Sequence, residues 1–254
     1  MSRKNPFEDE LEMVRPSRRP LNKPFPFFDL PTELRLRVYE MLLVGPGERV
    51  VNMDVNNYRL IAPRLNCFRA SRQMYEEAYR VFYGLNIFRL YPDSGKFFKK
   101  KPLLQRLAPR YRNAITTIDL RLGPGWTDPP KVQNTEKSLG LDDLTSARIL
   151  KVFIEVDPSE QIFNGFRGKD KDETWYIFWC VRLLAGILEQ VPSVKTVELD
   201  AFPGIARDAP IVVAISSEIE RSKRKLVWGP LRGWNEKADY GRLGIENAMA
   251  AMQI

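Results

Sequence analysis

Histidine is absent from the 254 residues, and cysteine occurs only at Cys67 and Cys180. Without an imidazole there is no Ser-His-Asp or Cys-His activation of a nucleophile and no helical pair of zinc-binding histidines. Nor does any side chain titrate near neutrality unaided. Two cysteines far apart in sequence make neither a disulfide framework nor a paired-cysteine metal knuckle, which fits a reducing intracellular compartment. No run approaches the ~20 apolar residues that a membrane helix needs, and the first residues lead into acids rather than an apolar signal core. Neither secretion nor membrane insertion is therefore expected. GxxxxGK[ST] and GxGxxG patterns are missing too. The glycines at 45, 47, 123 and 125 flank prolines, which interrupt the backbone donors that a phosphate would need. With nothing that points to catalysis, no enzymatic activity, cofactor or metal is expected.

What is there suffices for a packed core. The chain is 44% apolar and 28% charged, within the globular range, and its 19 prolines indicate many loops. Lys and Arg total 40 against 32 Asp and Glu. That balance suits an acidic or nucleic-acid partner, and equally a solvated basic surface.

Residues 1–26 mix charge with proline and read as a flexible arm, whose run Arg15-Pro16-Ser17-Arg18-Arg19 could serve nuclear import. Leu34, Val38, Met41 and Leu42 then recur at i, i+4, i+7 and i+8, one stripe of an amphipathic helix that opens at Pro31 and stops before Gly45-Pro46-Gly47. Cys67, Ala70, Met74, Ala78, Val81 and Phe82 mark a second helix, with Gly84 where a left-handed cap would close it. Short strands are expected at 49–56 and 86–91. Beyond them strands and helices alternate: strands at 115–122, 149–156, 194–201 and 226–228, helices at 175–190, 209–224 and 237–252. No residue pattern repeats over a length that would suggest a solenoid.

Leu30-Pro31-Thr32-Glu33-Leu34, with Val38 and Leu42 behind it, resembles the opening of an F-box, the helical motif through which substrate receptors dock onto the Skp-type adaptor of cullin–RING ubiquitin ligases. Further strings carry the likeness to the fungal F-box-like proteins: Arg69-Ala70-Ser71-Arg72-Gln73-Met74-Tyr75, Tyr83-Gly84-Leu85-Asn86-Ile87-Phe88, Phe163-Asn164-Gly165-Phe166-Arg167 and Trp228-Gly229-Pro230-Leu231-Arg232-Gly233-Trp234. It covers residues 27–235. An F-box sets its helices next to one another, whereas here residues 44–66 separate the first from the second. The resemblance implies that Leu30, Pro31, Leu34, Val38 and Leu42 meet the adaptor. The alternative is that the same stripe packs on the second helix as core.

Other residues invite two readings each. Lys96, Lys99, Lys100, Lys101, Arg106, Arg110 and Arg112, with Phe97, Phe98 and Tyr111 among them, have no acid between Asp93 and Asp119. Aromatics among cations serve single-stranded nucleic acid, and they also anchor a charged helix to a core. Arg221 to Lys225 ends a helix, where cations suit the dipole. Trp126, Phe166, Arg167 and Trp234 lie in glycine- and proline-rich loops and are candidate anchors for a protein target.

The expectation is an α+β protein in three parts: a flexible arm at 1–26, an F-box-like helical region at 27–91, and a C-terminal α/β region at 92–254 with several short strands covered by helices. It would work in the nucleus or cytoplasm as a non-catalytic receptor, joining an unknown protein target to a Skp-type adaptor and cullin. The alternative is a scaffold, associated with nucleic acid, in which the first helix is only core.

Overall fold

The computed structural model describes residues 25–44, 49–52, 59, 61–90, 103–123, 140–161 and 173–234. By backbone contacts the chain divides into a short unit, residues 1–35, and a main unit, residues 36–254. The flexible arm and the 237–252 helix of the sequence reading lie outside the described residues.

In the short unit a 3-10 turn, Phe27–Asp29, leads to Pro31, whose carbonyl accepts the N–H of Arg35 at 3.2 Å. Arg35 donates to the Thr32 hydroxyl at 3.0 Å and to the carbonyl of Leu30, so its guanidinium holds the helix entry together. Helix α1, Thr32–Leu43, starts there and runs on into the main unit.

The main unit is built on one sheet. Its strands are β1 (Val50–Val51), β2 (Ile87–Arg89), β3 (Thr117–Leu122), β4 (Ile149–Ile154), β5 (Thr196–Ala201) and β6 (Lys225–Trp228), all parallel and in chain order. Helices alternate with them: α2 (Arg72–Leu85), the short α3 (Leu103–Arg106) and α4 (Pro109–Arg112), then α5 (Glu173–Gln190) and α6 (Pro210–Arg221). Parallel neighbours need a crossover, nearly always right-handed. A strand order that never reverses then returns every connection over the same face.

Burial agrees with that geometry. Ile118, Leu120 and Leu122 of β3, Leu150, Val152 and Ile154 of β4, and Val197, Leu199 and Ala201 of β5 share one face and are at most 1% exposed. The apolar sides of α5 (Cys180, Leu184, Ile187, Leu188) and α6 (Ile211, Val212, Ile215, Ile219) are buried as well. Along β4 buried and half-buried residues alternate with the period of two that pleating imposes, and β3 and β5 depart from it only at Asp119 and Asp200, which are buried on the other face.

Helices and strands mix as the sequence suggests, but their arrangement differs from the α+β expectation in two ways. The strands form a single parallel sheet alternating with helices, an α/β arrangement, rather than a layer confined to the C-terminal part. The expected boundary at residue 91 is not a break either, because β2 pairs with β3 across it in register Ile87↔Thr117, Phe88↔Ile118, Arg89↔Asp119. Strands of two and three residues carry too little pattern to announce that they belong to a larger sheet. The chain-ordered stacking likewise has no counterpart in any residue repeat.

Two glycines answer steric demands. Gly140 has φ +73°, and a Cβ there would come within 2.7 Å of the Gln105 backbone; a Cβ at Gly229 would come within 2.4 Å of the Asp200 side chain. Gly84, by contrast, is an ordinary helical residue. Helix α2 is closed by Asn86, whose amide donates to the carbonyls of Phe82 at 2.9 Å and Leu43 at 3.2 Å. Its start is capped by Ser71, which accepts from the N–H of Met74 at 3.1 Å.

Candidate binding surfaces

Helix α1 turns two different faces outward and inward. Tyr39 and Leu43 are 1% and 3% exposed, and the Tyr39 hydroxyl donates to Glu77 of α2 at 3.2 Å. That side, i and i+4 apart, is the one that packs. The neighbouring stripe is open: Leu34 is 52%, Val38 38%, Met41 74% and Leu42 41% exposed. Of the remaining expected contact residues, Pro31 is exposed and Leu30 half-buried. A large aliphatic side chain gains ~1.5–3 kcal/mol when water is fully excluded from it, so four half-open ones in a row leave several kcal/mol to be recovered by a partner.

Between α1 and α2 the described residues include β1, which joins the sheet, and a 3-10 segment, Arg64–Arg69.

The second surface is the other face of the sheet. The third residues of β2 to β6 fall in one cross-strand row, Arg89, Asp119, Lys151, Glu198 and Val227, so charges of opposite sign alternate across four strands. Arg89 donates to Asp119 at 2.7 Å, with side chains 5% and 9% exposed, and Lys151 donates to Glu198 at 2.8 Å. One pleat further on, Arg121 donates to Glu155 at 2.9 Å and lies over the Phe153 ring at 4.9 Å from its centroid. Beside it the Asp200 carboxylate accepts backbone N–H groups from Ala201, Leu231 and Arg232, each at 2.9 Å, which fixes the turn after β6. These side chains, with Arg49 and the rim residues Pro230 and Leu231, enclose a cleft of ≈ 280 Å³.

Sequence reasoning left these charges as the outward side of strands. The signal that could have found them is the recurrence of an ionisable residue at the same position of four successive strands, which becomes visible only once their order and register are known.

Of the other expected anchors, Trp126, Phe166 and Arg167 lie outside the described residues. Trp234 is 9% exposed and its ring meets that of Trp228 edge-on at 5.0 Å, with Arg232 over it at 5.7 Å, so it braces the loop after β6 rather than standing free. In the basic stretch, Lys96, Lys99, Lys100, Lys101, Phe97 and Phe98 fall outside the described residues. Arg106 is exposed, whereas Arg110, Tyr111 and Arg112 are engaged internally. Arg110 sits over the rings of Tyr75 and Tyr79 at 4.9 and 4.8 Å and pairs with Glu76; Arg112 pairs with Asp143. Tyr111 stacks on Tyr83 at 4.8 Å, and its hydroxyl is hydrogen-bonded to that of Tyr75. That bond pushes the Tyr75 phenol up to about 12, and burial raises Tyr83 as well. At the end of α6, Arg221 pairs with Glu218, and Arg224 donates to the carbonyls of Pro192 and Leu188.

Burial raises the pKa of both Cys67 and Cys180, away from the thiolate form that nucleophilic chemistry uses. Among the described residues no three His, Cys, Asp or Glu side chains stand together as metal ligands, and no helix is long and apolar enough to cross a membrane. No protein-family model matches the chain, and neither a curated protein nor a solved structure matches it.

Proposed function

We propose that the chain is a non-catalytic receptor that docks onto a Skp-type adaptor, and through it a cullin–RING ubiquitin ligase, by the outer stripe of α1, and holds a protein target by another surface. The observation that carries the reading is the division of α1. Its Tyr39 and Leu43 side is used up inside the protein, while Leu34, Val38, Met41 and Leu42 stay open to solvent on the adjacent side. A helix needed only as core would bury its widest apolar stripe, and this one exposes it. The Leu30-Pro31-Thr32-Glu33-Leu34 opening, which resembles an F-box, supplies the identity of the partner. Such a protein would act in the nucleus or cytoplasm. Nucleic-acid binding draws no support from Arg110, Arg112, Arg221 and Arg224, each engaged with groups of its own chain.

Co-expression with a Skp-type adaptor tests this. The wild-type chain is expected to capture the adaptor, and the Leu34→Lys/Val38→Lys variant to remain folded and lose it. A folded variant that captures as well as wild type removes the docking role.

A further inference from the structure

We propose that the cleft on the charged face of the sheet takes a short acidic peptide segment, with Arg49 and Arg121 receiving its carboxylates and Phe153 and Leu231 flanking its apolar part. This rests on the receptor reading only in making the peptide part of a target protein.

The argument is an inventory of hydrogen-bonding capacity. Four cations, Arg49, Arg89, Arg121 and Lys151, and three carboxylates, Asp119, Glu198 and Asp200, line the cleft. Each carboxylate is committed: Asp119 to Arg89, Glu198 to Lys151, and Asp200 to three backbone N–H groups. A cationic ligand would find each of these charges already matched by a cation or by backbone N–H groups. The donors are not exhausted. Arg49 is exposed and its side chain makes no hydrogen bond or ion pair among the described residues, and Arg121 spends one contact on Glu155 out of five N–H groups. With Arg121 matched by Glu155, the unmatched charge at the cleft is the exposed Arg49 guanidinium, which together with the N–H groups that Arg121 does not spend favours a ligand that brings carboxylate acceptors.

The walls choose between a free anion and a peptide. Phe153 lies beneath the Arg121 guanidinium, and Leu231, 60% exposed, stands on the rim with Pro230. A bare phosphate would leave these apolar surfaces wet. Side chains flanking an acid in an extended peptide would cover them. A volume of ≈ 280 Å³ suits a few side chains and excludes a folded domain.

The test uses the full-length chain, immobilised, and a randomised hexapeptide pool whose retained members are sequenced by mass spectrometry. Asp and Glu are expected to be enriched over Lys and Arg, with apolar residues beside them. Re-synthesised binders measured by fluorescence anisotropy should weaken about three- to tenfold in Arg49→Gln and in Arg121→Lys, of which the second keeps the charge and the contact with Glu155. Lys195→Gln, an exposed charge on the turn before β5, should leave affinity unchanged. An equal loss in Lys195→Gln, no enrichment of acids, or complete displacement by millimolar inorganic phosphate with no preference for apolar neighbours would each overturn the proposal. The Leu34→Lys/Val38→Lys variant separates the two ideas. Retained peptide binding with adaptor capture unimpaired overturns only the docking role, whereas capture by wild type with no peptide selection overturns only this one.

Discussion

Arg89 and Asp119 form the ion pair on which the charged face is most exacting. Both are nearly out of water, so removing one partner weakens the compensation of the other's charge in a poor dielectric, whereas Lys151 and Glu198, 33% and 24% exposed, can fall back on solvent. Asp119→Ala should therefore cost ~3–5 kcal/mol in urea unfolding, and Glu198→Ala no more than about 1 kcal/mol. Similar losses in the two would contradict the difference in burial. The tyrosine pair gives a second residue-scale prediction. Tyr75 is raised to about 12 in the fold by its hydrogen bond with Tyr111, above the ordinary value of 10. A raised acid keeps its proton longer when folded, so its contribution to stability is complete below pH 10 and is lost as pH rises through about 12. Tyr111→Phe removes that bond and should flatten the decline of the urea midpoint over this window, because Tyr75 then titrates closer to its unfolded value. An unchanged slope would mean the hydroxyls do not share a proton.

Helix α1 is the element on which the proposed docking turns, and its two faces make opposite predictions for stability. Leu34→Lys and Val38→Lys alter open positions and should shift stability by no more than about 0.5 kcal/mol. Leu43→Ala, at a site 3% exposed beneath Asn86 and α2, should cost ~2–5 kcal/mol. A large loss from the lysine substitutions would show the stripe to be core. The sequence reveals this helix, its limits and its apolar stripe, because a period of 3.6 is strong over twelve residues. It does not reveal which side packs: Tyr39 and Leu43 are as apolar as Val38 and Leu42, and the choice is made by where α2 lies. Strands β3 to β6 and helices α5 and α6 are likewise legible, to within a few residues at each end. Strands β1 and β2 are legible too, inside the stretches 49–56 and 86–91, but at two and three residues they do not reveal which strands they join. The charged row is legible residue by residue but not as a row, since it depends on a parallel register linking positions about thirty or more apart. Gly84 shows the remaining kind of error, in which a residue typical of a cap sits one position inside a helix that a side-chain amide closes.

At the scale of the whole molecule, one sheet runs from residue 50 to residue 228 and removes the expected division at residue 91. A fragment of residues 27–91 would hold β1 and β2 without β3, so that β2 loses its neighbour on one side and the pairing of Ile87, Phe88 and Arg89 with it. Such a fragment should show no cooperative thermal transition by circular dichroism, and a sharp one would support the two-part division. The same continuity sets the two surfaces on different elements of one chain, an open apolar helix face and a cleft of spare donors, as a protein that joins two partners requires. The most direct measurement is hydrogen–deuterium exchange of the full-length chain with and without a purified Skp-type adaptor. Added protection confined to α1, and absent when Leu34 and Val38 are both lysine, is the result predicted; no complex, or protection over α5 and α6 with α1 unchanged, would contradict it.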